Sequence, residues 1–139
     1  MKFKSFLVFI AVLLLFIPCN LFAQQSDFYG TWTTKISEDG ETIFVKFVIS
    51  ASSLIMSLEL YEGNKLIDTE NIEAVIVSWA ALTNTDYTTR VNYPNGFSIT
   101  ISTYGFETPI ELFISRDKRQ ITIPELNEDW DEIIVFTKQ

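Results

Sequence analysis

From residue 43 onward, apolar side chains recur at every second position in one short run after another, and this period restricts the available folds more than any other feature. Ile43, Val45, Phe47 and Ile49 form the first set, with Phe44, Lys46 and Val48 between them. Leu54, Met56, Leu58 and Leu60 form the next, set against Ser53, Ser57 and Glu59. Phe97, Ile99, Ile101 and Thr103 alternate with Ser98, Thr100 and Ser102, and Ile110, Leu112 and Ile114 alternate with Glu111 and Phe113. A period of two sends successive side chains to opposite faces of an extended strand, so each run offers one face to a core.

Turn chemistry divides the runs. Ser37-Glu38-Asp39-Gly40 reads as a hairpin turn, Glu62-Gly63-Asn64 as a second and Arg116-Asp117-Lys118 as another. Pro94-Asn95-Gly96 reads as a tight turn between a strand through Tyr87, Thr89, Val91 and Tyr93 and the strand from Phe97, because Asn-Gly is a strong hairpin signal. Gly105 and Pro109 bracket a further loop, and Pro124 ends a short strand through Ile121 and Ile123. Lys65 to Thr69 reads as a short strand of its own. Ile72 to Leu82 allows a helix or a strand, and its β-branched content favours the strand. Ile133 to Lys138 forms a closing strand. Eight to ten short strands without a major helix predict an all-β domain, best satisfied by a small antiparallel up-and-down barrel of about eight strands. Closure removes exposed edges, and eight strands leave room for one small ligand.

The barrel is expected over residues 24–139. Ahead of it, Lys2 and Lys4 precede an unbroken apolar run from Phe6 to Ile17, followed by Pro18, Cys19 and Ala23. That order matches a secretory signal peptide over residues 1–23, and the run is short for a membrane span. The expectation is an exported protein, periplasmic or secreted. The alternative is a lipoprotein anchored to a membrane through Cys19, for which Pro18 is a poor preceding residue. Without that segment 8 basic residues face 18 acidic ones. A surface so acidic repels nucleic acid and anionic lipid. Cys19 is the only cysteine, so no disulfide holds the domain.

The predicted domain opens at Asp27 to Ile36. Its Gly30-Thr31-Trp32 puts a residue without a side chain and a large ring on one face of a strand. Gly-x-Trp on a first strand resembles the signature of the calycins, the superfamily of lipocalins and fatty-acid-binding proteins, and the order of elements over residues 27–138 is similar to theirs. The resemblance implies a last strand that returns to the first and a basic side chain, here Lys138, over the Trp32 ring. It also implies a small apolar ligand in the lumen, with Phe47, Met56, Leu58, Tyr87, Phe97 and Ile101 as inward-pointing candidates. Trp79 is a plug, a lumen residue or part of an outer patch. The alternative is a filled barrel that acts through its outer surface as an interaction module or inhibitor, with Phe44, Val48 and Phe113 on that surface.

Catalysis is not expected. The sequence contains no histidine, which excludes imidazole metal sites and the Ser-His and Cys-His pairs. Glu107 and Glu111 are separated by Pro109 and read as a solvated strand edge rather than a dyad. The acidic run Asn127-Glu128-Asp129-Trp130-Asp131-Glu132 lacks the spacing and central glycine of a calcium loop, so neither metal nor cofactor is expected.

Overall fold

A computed structural model of the chain describes residues 23–83, 85, 87–127 and 133–139, with Val8 alone before them. The rest of the expected signal and the acidic run from residue 128 to 132, with Trp130, lie outside the described residues. Eight antiparallel strands close into one barrel in sequence order: β1 (Gly30–Glu38), β2 (Glu41–Ile49), β3 (Ser53–Glu62), β4 (Lys65–Thr83), β5 (Asn95–Thr103), β6 (Phe106–Ile114), β7 (Gln120–Thr122) and β8 (Val135–Lys138). From residue 23 onward, helical structure among the described residues amounts to single turns, a 3-10 turn at Gln25–Phe28 and short helices at Tyr87–Arg90 and Pro124–Asn127. The alternating runs supply the wall: Val45, Phe47, Ile49, Leu54, Ile99, Leu112 and Ile114 are buried on its inner face.

Two hairpins turn through consecutive left-handed residues, Asp39 (φ 51°) with Gly40 (φ 82°) and Tyr104 (φ 50°) with Gly105 (φ 83°). That pair of backbone angles matches the twist of the flanking strands. The first was legible in the sequence. The second falls at Gly105, where a loop was expected, whereas the hairpin expected at Asn95-Gly96 does not form, since both residues lie in β5, paired with Ile114 and Phe113. A Cβ on Gly96 would stand 2.0 Å from the Leu112 carbonyl oxygen, so glycine serves a close approach of two strands rather than a turn.

The segment expected as a strand through Tyr87 and Tyr93 is a helical turn and a loop. At this end the two strands that flank it in the chain pair directly with each other, Thr83 of β4 with Asn95 of β5, and leave no place for a strand between them. The backbone therefore closes on itself, with the amides of Asn92 and Tyr93 donating to the Thr89 carbonyl at 3.2 and 2.8 Å. The first strand also starts later than expected, because Asp27 and Phe28 belong to the 3-10 turn.

Lys65–Thr83 is one 19-residue strand, so neither the separate short strand nor a helix over Ile72 to Leu82 forms. Its register shifts near Ile67 and at Val77. The second bulge reverses which side faces inward: Ile72, Ala74 and Ile76 point in before it, and Trp79, opposite Ile99, points in after it. This reversal explains why both sides of the segment are apolar in sequence.

The barrel is uneven. The closing strands β7 and β8 span three and four residues, and they seal only the end from which β1 starts. Towards the hairpin tips, β6 keeps β5 on one side and has no strand on the other among the described residues. The Glu111 amide on that side donates instead to Glu125 Oε1 at 3.0 Å. Pro109 lies two residues away on the same open side, where no N–H is required.

The open half of the barrel as a candidate ligand site

The sealed end is a packed floor. Phe28 and Trp32 are fully buried, and the Trp32 ring N–H donates to the Phe28 carbonyl at 2.8 Å. Phe28 stands against Phe97 and Trp79 with ring centroids 5.6 and 6.3 Å apart, and Tyr29 meets Trp79 at 5.9 Å. Trp79 donates its ring N–H to the Ala51 carbonyl at 2.9 Å, which makes it part of this aromatic plug. Above the plug, Phe47 meets Phe136 at 4.9 Å. Lys118 Nζ lies 3.2 Å from Asp27 Oδ2 and ties the entry turn to the β6–β7 turn.

Lys138 pairs with Trp32 across the β1–β8 seam, and its ammonium lies 5.4 Å from the Trp32 ring centroid. Gly30 makes the room: a Cβ there would be 3.2 Å from the Lys138 Cε. The three motif residues thus meet in one place, with the glycine leaving space for the stem of the lysine and the ring receiving its charge.

Cross-strand rows describe the wall from floor to mouth. The row Trp32, Phe47, Met56 and Ile72 is apolar throughout. Next come Thr34, Val45, Leu58 and Glu70, then Ile36, Ile43, Leu60 and Asp68. The mouth row is Glu38, Glu41 and Glu62 beside Lys65. Across the barrel, Ile101 and Ile110 continue the apolar wall on β5 and β6. In the upper rows Ile36, Ile43, Leu58, Leu60, Ile101 and Ile110 are only half-buried, while Glu38, Glu41, Glu62, Asp68 and Glu70 are exposed. A depression of about 130 Å³ lined by Ile36, Glu38, Asp39, Glu41 and Ile43 opens beside the first hairpin tip. The open half is therefore an apolar concavity with a rim of carboxylates.

The expected lumen residues divide between these two regions. Phe47 and Phe97 belong to the packed floor and plug; Met56, Leu58 and Ile101 stand on the half-buried wall. Tyr87 lies on the helical turn rather than on a strand, and its side chain lies outside what is described. Sequence reasoning missed Ile36, Ile43, Leu60 and Ile110 as wall residues, although their place in the alternation was visible. Which rows would be left uncovered depends on the lengths of β7 and β8, and alternation does not report that. Among the outer residues, Phe113 is a correction: it is buried, because the side-chain-free Gly96 beside it lets the ring settle onto the sheet. Phe44 does remain exposed, stacked edge-on to Tyr61 at 5.5 Å with Lys35 Nζ 5.6 Å from its ring.

Among the described residues no group of three or more acidic or thiol side chains is arranged to hold a metal ion. No protein-family model, curated protein or solved structure matches the chain.

Proposed function

We propose that the protein is a calycin-like, non-enzymatic carrier or sensor, exported from the cell, that takes a small apolar molecule in the open half of its barrel. One observation carries this reading: six aliphatic side chains on the inner face, Ile36, Ile43, Leu58, Leu60, Ile101 and Ile110, remain half-buried where the closing strands do not reach. Apolar area left accessible inside a concave wall gains about 25 cal/mol for each Å² that a ligand covers. The packed floor limits depth, so the ligand rests on the wall with one end at the mouth. There Glu38, Glu41, Glu62, Asp68 and Glu70 favour a neutral or cationic end over a carboxylate.

The Gly30, Trp32 and Lys138 arrangement supports the calycin-like part of the reading, and the charged, apolar and small-residue order of residues 1–23 supports export. Native mass spectrometry of protein purified from its own host tests the ligand. The expected result is a reproducible bound mass that is lost in Leu58→Asp and Ile101→Lys variants with unchanged circular dichroism. Uptake of a fluorescent apolar amine, with weaker uptake of the matching carboxylate, checks the charge preference. Absence of bound mass and of uptake by the folded protein overturns the reading.

A further inference from the structure

The proposed ligand concavity leaves unused a second feature of the same end, the edge of β4. This strand pairs with β3 along Lys65–Val75, but β5 joins its other side only from Val75 onward, where Val75 meets Ser102. Residues 65–74 therefore have no strand partner on that side among the described residues. The direction of the free groups follows from the ladder. The Ile76 amide donates to the Ser52 carbonyl at 2.8 Å, so by two-residue alternation Ala74, Ile72, Glu70 and Asp68 turn their backbone groups towards β3. Thr69, Asn71 and Glu73 point theirs outward. One of these amides, that of Thr69, is held by the neighbouring carboxylate, Asp68 Oδ1, at 2.9 Å.

Large apolar side chains gather around this edge. Leu66 and Ile67 at its start and Val75 at its end are exposed. The β5–β6 tip, where β5 stops, adds Tyr104 at 93% and Phe106 at 78% exposure. A row of outward backbone donors and acceptors beside such side chains provides the two components that strand addition uses, main-chain pairing for affinity and side-chain contacts for selection.

We propose that the free edge of β4 accepts an extended segment of a partner protein in which basic residues alternate with apolar ones. Charge selects the occupant. Asp68 and Glu70 lie on the inner face of the edge and Glu73 on the outer, with Glu59 and Glu62 on the adjoining strand and a formal charge of −8 on the whole chain. A second copy pairing through the same edge would gather Asp68, Glu70 and Glu73 of both chains along one short seam, and like charges so close oppose pairing. A basic segment meets opposite charge instead. The backbone edge of β4 is separate from the apolar wall, while Asp68 and Glu70 belong both to this edge and to the rim of the mouth.

The probe is a short alternating lysine-valine peptide, labelled and titrated into the full domain by fluorescence anisotropy, beside a glutamate-valine peptide of equal length. The lysine peptide is expected to bind at least about tenfold more tightly. N-methylation of the alternate amides that face β4 should abolish its binding, while N-methylation of the other set leaves it unchanged; this comparison uses the unaltered protein. The double variant Asp68→Lys with Glu70→Lys should reverse the peptide preference. Asn71→Pro should remove binding, since it deletes an outward amide and leaves the β3 ladder intact. Failure of the lysine peptide to bind, equal effects of the two methylation patterns, or an unchanged preference in the double variant overturns the proposal. Concentration-dependent dimers abolished by Asn71→Pro overturn it in favour of a second copy.

Discussion

Trp32 and Gly96 hold different parts of the wall by opposite means, one through volume and the other through its lack. Trp32 has no exposed surface, hydrogen bonds to the entry turn and lies under Lys138. Trp32→Ala is expected to cost about 3–5 kcal/mol in denaturant unfolding, as for other buried aromatics. Gly96→Ala puts a carbon 2.0 Å from a backbone carbonyl oxygen that has no flexible end to move. Its expected cost is about 1–3 kcal/mol by the same measurement, although it removes no contact. The Trp32 role was legible because a ring two positions after a glycine carries a face assignment. The Gly96 role was not, because Asn-Gly has the same composition in a hairpin as in a close crossing of strands. Tyr93 adds a pH dependence. Burial, with a smaller contribution from the charge of Asp117, raises its hydroxyl above the ordinary value of 10.0. The folded protein then keeps a proton that the unfolded chain has lost, so this contribution is whole below about pH 10 and declines as pH rises through it. Urea melts at about pH 9 and about pH 11 should show that decline, and Tyr93→Phe should lessen it.

At the scale of elements, strands with one apolar side could be given their inner face from the sequence, while β4, apolar on both sides, was read as a strand from its β-branched content but not given its faces. β2 and β3 followed their period of two from end to end. β4 defeated it because the bulge at Val77 moves the inner set from even to odd positions, so that Trp79 joins the floor while Val75 and Val77 face solvent. Deleting Val77 would remove the bulge and turn Trp79 or its predecessors to the wrong face. The expected loss of stability is well above that of Val77→Ala, which should stay within about 0.5 kcal/mol as an exposed substitution. Thermal melts of the two variants make the comparison, and equal losses would show that the bulge does not set the register. The loop through Tyr87 and Tyr93 was misread for a related reason. Alternation of tyrosine, threonine and valine permits a strand, but a strand also needs an open edge beside it, and where this segment lies β4 and β5 pair directly with each other.

For the whole molecule, the closed ring and its strand number followed from the repeated short runs, while its uneven height did not. Local pattern reports which face a residue takes, not how far a neighbouring strand extends. The candidate ligand wall exists because β7 and β8 are short, and the sequence showed only that they were brief runs near Pro124. The β1–β8 seam is a consequence of the same economy. It consists of two facing residue pairs, supported by the Gln139 amide on the Thr31 carbonyl and by its side chain on Thr33, 106 positions away. The hairpins from β1 to β6 are local and need little loop closure, whereas the seam requires nearly the entire domain to be in place. Its contacts should therefore form after the rate-limiting barrier. In stopped-flow measurements, Thr33→Ala and Lys138→Ala should accelerate unfolding and leave refolding nearly unchanged, while Leu58→Ala in the hairpin sheet should slow refolding. The seam then acts as a latch on the lifetime of the native barrel rather than as part of the route by which it is reached.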